Sequence, residues 1–149
     1  MKIIIASDHR GYKLKEELKK RLGNKYEFID LGTNSEDSVD YPDYAFKLGK
    51  KVLKDNCFGI AICGSGIGIS IACNKVKGIR CAKVNTIKDS IVTRNDNDSN
   101  IIAFSANTSI KKAIRMVEEF VNTPFSNEKR HLKRKKLLKN TMRCHINVY

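Results

Sequence analysis

The chain lacks the features of an exported, membrane-spanning or metal-holding protein. Only 2 prolines occur among 149 residues and 41% of the residues are hydrophobic, a balance that argues against a disordered chain. No apolar run approaches the ~20 residues of a membrane span. Met1 to Ala6 is too short for the core of a signal peptide, and no cleavage pattern follows it. The five cysteines, Cys57, Cys63, Cys73, Cys81 and Cys144, form no C-x-x-C pair and are odd in number. That usage suits a reducing compartment, so the expected location is the cytoplasm. His9, His131 and His145 are scattered, and their spacing offers no zinc site. Neither a metal nor a cofactor is expected.

What remains suits one soluble domain over residues 1–149 that is long enough to bury a core. Net charge is +13, and it is unevenly spread: Lys129 to Arg143 holds eight Lys or Arg and no acid. Such a tail can meet nucleic acid, a membrane surface or a phosphorylated small molecule, or simply be a solvated helix face.

Strand-like and helix-like segments alternate. Strands are expected at Lys2 to Ala6, Tyr26 to Leu31, Phe58 to Ile62, Ile79 to Val84 and Ile101 to Ser105. Helices are expected at Tyr12 to Leu22, Tyr41 to Leu53, Ile69 to Val76, Thr86 to Arg94, Ile110 to Phe120 and, as a basic helix, from about 127 to Asn140. The alternation predicts an α/β fold: a three-layer α/β/α Rossmann-like sandwich with a five-stranded parallel sheet and a C-terminal basic helix. Ligands of such sheets bind at the carboxyl ends of the strands. That rule selects Ser7-Asp8-His9, Cys63 to Gly68, and Asn85-Thr86.

Cys63-Gly64-Ser65-Gly66-Ile67-Gly68 is the most informative of these. Glycines let backbone N–H groups approach an anion, a helix N-terminus adds partial positive charge, and the thiol titrates there. The pattern is not G-x-G-x-x-G and contains no G-K-[ST], which disfavours NAD and nucleoside triphosphates as ligands. Taken alone, the loop could be a tight turn, Cys63 a core thiol and Asp8 a helix cap. Arg130, His131 and Arg134 are spaced for one face of a helix, which suits a phosphate or a solvated face.

Together these residues resemble the type B ribose-5-phosphate isomerases and the related galactose-6-phosphate isomerase subunits. The resemblance runs through Ser7-Asp8-His9 with Gly11, Asp30 to Thr33, Ser38 to Pro42 and Ile62 to Ala72. It continues through Asn74 to Val76, Gly78 to Arg80, Asn97-Asp98, Asn100, and Arg130-His131 with Arg134. It implies an aldose–ketose isomerase that needs no metal or cofactor and moves a proton between C1 and C2 through a cis-enediolate. Cys63 would be the base. One branch of the family uses a glutamate six residues further on, where this chain has Ile69. Ser65 and the amides of Gly64, Gly66 and Gly68 would stabilise the enediolate oxygen, and Asp8 would handle hydroxyl protons. Tyr41 and Asn97 would line the sugar site, and His9, Arg130 and Arg134 would hold the phosphate. A homodimer or tetramer is implied, with each site completed by a neighbouring subunit.

Two positions depart from the pattern. Asp96 stands where a ring-opening histidine is usual; an ionised aspartate accepts a proton but has none to donate at neutral pH. Asn107 stands where an arginine for phosphate is usual, and Lys88 or the tail lysines are candidates to replace its charge. Both departures are expected in the part of the site that a second subunit contributes. Ribose 5-phosphate is the expected substrate. The alternatives are another sugar phosphate, such as galactose or allose 6-phosphate, and a non-catalytic protein that binds polyanions through its tail. The tail lacks interleaved aromatics for base stacking, which disfavours nucleic acid.

Overall fold

The computed structural model describes residues 1–141. Arg143, Cys144 and His145 lie outside the described residues. The strands are β1 (Lys2–Ser7), β2 (Glu27–Asp30), β3 (Phe58–Cys63), β4 (Cys81–Lys83) and β5 (Ile101–Ser105). They form one parallel sheet in the order β2-β1-β3-β5-β4. The helices are α1 (Tyr12–Leu22), α2 (Tyr41–Asp55), α3 (Ile67–Asn74), α4 (Ile87–Asn97), α5 (Ile110–Asn122) and α6 (Lys129–Thr141).

The central strands are apolar throughout because helices cover both of their faces. Ile3, Ile5, Ile60, Ile62, Ile102 and Phe104 pack against Leu14, Leu18 and Leu22 of α1 and Ala113, Met116, Val117 and Phe120 of α5. The alternate residues Ile4, Ala6, Ala61, Ile101 and Ala103 pack against Ala45, Leu48 and Val52 of α2 and Ile69, Ala72 and Cys73 of α3. The expected three-layer α/β/α sandwich is the fold found.

Two features of the order place the site. From β1 the chain goes to β2 on one side and to β3 on the other, so a crevice opens between the carboxyl ends of β1 and β3. β5 inserts between β3 and β4, which leaves β4 at the edge and puts the end of β5 beside Cys63.

Several element boundaries differ from the expected ones, each for a local reason. α3 begins at Ile67 because Gly66, in a left-handed conformation, starts the helix early. α4 runs on to Asn97, where Asp98 at φ 51° ends it by directing its N–H to the carbonyls of Arg94 and Thr93. Aspartate tolerates that conformation better than most residues. β4 is only three residues long, since as an edge strand it pairs with β5 alone.

Candidate active site

β3 ends at Cys63, and the chain enters α3 through Gly64-Ser65-Gly66. Gly66 has φ +77°, and a Cβ there would lie 2.6 Å from the carbonyl carbon of Phe104. Glycine is therefore required both for the backbone conformation and for its approach to β5. The turn brings the Gly66 N–H onto Cys63 Sγ at 3.2 Å. Cys63 is 4% exposed. The Ile67 N–H donates to Ser65 Oγ at 3.1 Å, which fixes the serine at the mouth of the loop.

Across the crevice, Asp8 is buried, and its Oδ1 accepts the Gly11 N–H at 3.0 Å. Asp8 thus shapes the start of α1, and its other oxygen accepts no hydrogen bond among the described residues. His9 Nδ1 accepts the Val39 N–H at 3.2 Å, and its other ring nitrogen has no hydrogen-bond partner among the described residues. Tyr41 opens α2 and lies over the first turn of α3: its Cζ is 2.7 Å from where a Cβ on Gly68 would be. The structure brings Asp8, His9, Tyr41, Cys63, Ser65, Gly64, Gly66 and Gly68 together.

A buried ion pair braces this cluster. Lys15, 1% exposed, pairs with Asp30 at the end of β2 and with Glu16. Asp30 Oδ1 accepts the Gly32 N–H at 2.9 Å, and the Thr33 N–H donates to Ser7 O at 3.1 Å, next to Asp8. Burial raises the Asp30 carboxyl, but hydrogen bonds from Lys15, Lys19 and Gly32 outweigh it and hold the group below the ordinary aspartate value.

The loop after β5 lies against the Cys63 loop, whereas the strand-end rule selects the loop after β4. The Ala106 N–H donates to Cys63 O at 2.9 Å, and Ser105 Oγ donates to Gly64 O at 2.7 Å. Ser105 Oγ also accepts the Asn107 N–H at 3.1 Å. Asn107 therefore lies beside the Cys63 loop of its own chain. Thr86, by contrast, is a helix cap, forming a reciprocal pair with Asp89 at the start of α4. The signal for Ser105 was β5 itself, but its place beside β3 depends on a long-range strand pairing that sequence periodicity does not encode.

Four expected site residues stand elsewhere. The helices run antiparallel to the strands, so the last residues of α4, Asp96 and Asn97, reach the amino ends of the strands, the opposite end of the sheet from Cys63. Their neighbour Asp98 contacts Arg80, just before β4 begins. α6 packs on α4, carrying Arg130 and Arg134 with it. The one-face reading of Arg130, His131 and Arg134 is corrected by the structure. His131 is 3% exposed and turned inward, with Nδ1 2.8 Å from Ser126 Oγ and 3.9 Å from Asp96 Oδ1. Arg130 faces solvent beside Glu128, and Arg134 is exposed. A residue at i+1 sits about 100° around a helix from residue i, which separates His131 from its neighbours. Among the described residues no group of three or more His, Cys, Asp or Glu could hold a metal ion. No helix there is long and apolar enough to cross a membrane.

A doubly wound α/β sheet with a thiol, a carboxylate and an imidazole at its switch point defines a small-molecule enzyme site. Residues 3–138 match the ribose/galactose isomerase family. Ribose-5-phosphate isomerase B of Mycobacterium tuberculosis is 32% identical over 149 residues, covering 97% of this chain and 92% of that protein. The structure of Clostridium thermocellum ribose-5-phosphate isomerase B superposes with a TM-score of 0.91 at 40% identity, covering 96% of this chain and 98% of that one. The Mycoplasma genitalium enzyme, crystallised with bound ribulose 5-phosphate, gives 0.90 at 34% identity, with 97% of each chain covered. The chain belongs to the ribose/galactose isomerase family, and it is an isomerase.

Proposed function

We propose that this isomerase interconverts ribose 5-phosphate and ribulose 5-phosphate, with Cys63 as the base. One observation carries the reading: Cys63 Sγ sits buried at the switch point and accepts the Gly66 N–H at the amino end of α3. A thiolate there takes the C2 proton of the open-chain aldose. The electron pair moves to form the cis-enediolate, and the resulting thiol returns the proton to C1. Ser65 and the first-turn amides of α3, including Gly68, stabilise the oxyanion. Asp8 moves the hydroxyl protons, and His9 directs its free ring nitrogen at the phosphate. The relatives named for ribose 5-phosphate and the bound ribulose 5-phosphate of the Mycoplasma genitalium enzyme support this substrate.

The remaining roles require a second copy. Asp96 for ring opening, Asn97 for the sugar, and Arg130 and Arg134 for the phosphate lie on α4 and α6, away from Cys63 at the carboxyl end of the sheet. Their exposure and their distance from Cys63 support a homo-oligomer, dimer or tetramer, in which each site draws on two copies. The reaction belongs to pentose phosphate interconversion and is placed in the cytoplasm.

The test is direct. Purified protein converts ribose 5-phosphate to ribulose 5-phosphate, and Cys63→Ala lowers kcat by about 10³-fold or more with an unchanged melting temperature. A variant that keeps its turnover sinks the base assignment. Assay against a panel of aldose phosphates, including six-carbon ones, ranks substrates by kcat/KM, and a higher value for any other sugar overturns the substrate.

A further inference from the structure

Arg10 carries a charge that the proposed reaction has not yet used. It follows His9 in the turn between β1 and α1 and is exposed. Its side chain folds back over Gly64: Cγ, Cβ and Cζ lie 3.7, 3.9 and 3.9 Å from where a Cβ on Gly64 would be. The guanidinium therefore rests on bare backbone one residue after Cys63. Among the described residues Arg10 makes no ion pair and no hydrogen bond. Most basic residues on α1 differ: Lys13 pairs with Glu36, Lys15 and Lys19 with Asp30 and Glu16, and Arg21 with Glu17.

The other side of Gly64 is neutral. Its carbonyl accepts from Ser105 Oγ, which in turn accepts the amide of Asn107, an exposed residue without charge. Arg10 is thus the cation over this end of the loop, with its stem laid on Gly64 and no carboxylate to neutralise it. A guanidinium so placed presents its planar fork of N–H donors to an oxyanion.

We propose that Arg10 is a substrate-binding residue that holds the phosphate of the sugar phosphate together with His9, from the same copy that supplies Cys63. This rests on the isomerase reading above. Because the phosphate is bound alike in substrate and transition state, its loss appears in KM and not in kcat.

The experiment measures kcat and KM for ribose 5-phosphate, and by calorimetry the Kd for inorganic phosphate, in wild type, Arg10→Ala, Arg10→Lys and Arg10→Ala/Asn107→Arg. Arg10→Ala is expected to raise KM and phosphate Kd in parallel, each by about tenfold, with kcat within about twofold. Arg10→Lys recovers part of the loss. A new arginine at position 107, across Gly64, recovers more. Unchanged KM and phosphate Kd in Arg10→Ala overturn the proposal, as does a fall in kcat at constant KM, which would place Arg10 at the reacting carbons. Failure of the double variant to recover binding overturns the placement beside Gly64. If wild type turns over no aldose phosphate, the isomerase reading fails, and the phosphate titrations still decide whether Arg10 binds the anion.

Discussion

Two glycines of the Cys63 loop look alike in sequence and are held for different reasons. At Gly66 an alanine Cβ meets the backbone of β5, which does not move, in a left-handed conformation that costs an L-residue about 1–2 kcal/mol. Gly66→Ala is expected to lower both the melting temperature and kcat, because the N–H that meets Cys63 Sγ shifts with the turn. At Gly68 the Cβ meets the tip of Tyr41, a side chain that can rotate away. Alanine there also gains about 1 kcal/mol of helix propensity over glycine. Gly68→Ala is expected to keep or raise the melting temperature while raising KM, since Tyr41 is displaced from the sugar side of the loop. Thermal unfolding and steady-state kinetics on the two variants separate the cases. A Gly66→Ala protein as stable and active as wild type would refute the account of the loop.

Among the elements, α6 packs on α4, and Asp98 ties it there through Lys135. Arg80 Nη2 lies 3.0 Å from its carboxylate, Arg94 Nη1 2.9 Å and Lys135 Nζ 2.9 Å, so one side chain joins α4, the start of β4, and α6. Burial raises the Asp98 carboxyl, but hydrogen bonds from Lys135 and Arg94 and the charge of Arg80 outweigh it and leave the group below its ordinary value. A carboxylate lowered in the folded state stabilises the protein above its unfolded value, and that contribution is lost as pH falls through the folded one. Asp98→Asn keeps a residue tolerant of positive φ and removes the charge. Denaturant unfolding at neutral pH is expected to show a loss of about 1.5–3 kcal/mol, the worth of hydrogen bonds to a charged group. The gap to wild type narrows in acid. Equal stability at neutral pH would mean that Asp98 is only a helix cap. The sequence made the helix here legible through its basic run, but not its inward face. Periodicity placed Arg130, His131 and Arg134 together, whereas Ser126 and Asp96 capture the imidazole and turn the arginines outward.

For the whole molecule, the strands and the three layers were legible because buried parallel strands are apolar throughout, and Ile3 to Ala6 and Ile60 to Ile62 are of that kind. The placing of Cys63, Asp8 and His9 at the ends of β3 and β1 was legible from the same strand pattern, and such sheets carry their ligands there. The expected division of the site between subunits came from the family resemblance and not from the pattern, since where β5 inserts and how far α4 runs are decided by tertiary contacts. That division has a measurable consequence. Cys63 and Arg10 stand at the carboxyl end of the sheet, and Asp96 and Asn97 at its opposite end, with Arg130 and Arg134 on α6 packed against α4, so the proposed composite site would take one group from each of two copies. Cys63→Ala and Arg134→Ala proteins are each expected to be nearly inactive alone. In a mixed dimer with two-fold symmetry, one site collects both defects and the other collects neither. Unfolding the two together and refolding them at equal concentration then restores about a quarter of wild-type activity, because half the dimers are mixed and each has one intact site. Sites built within a single chain would leave the mixture no more active than its parents, and the arginines of α6 would then have no part in the reaction.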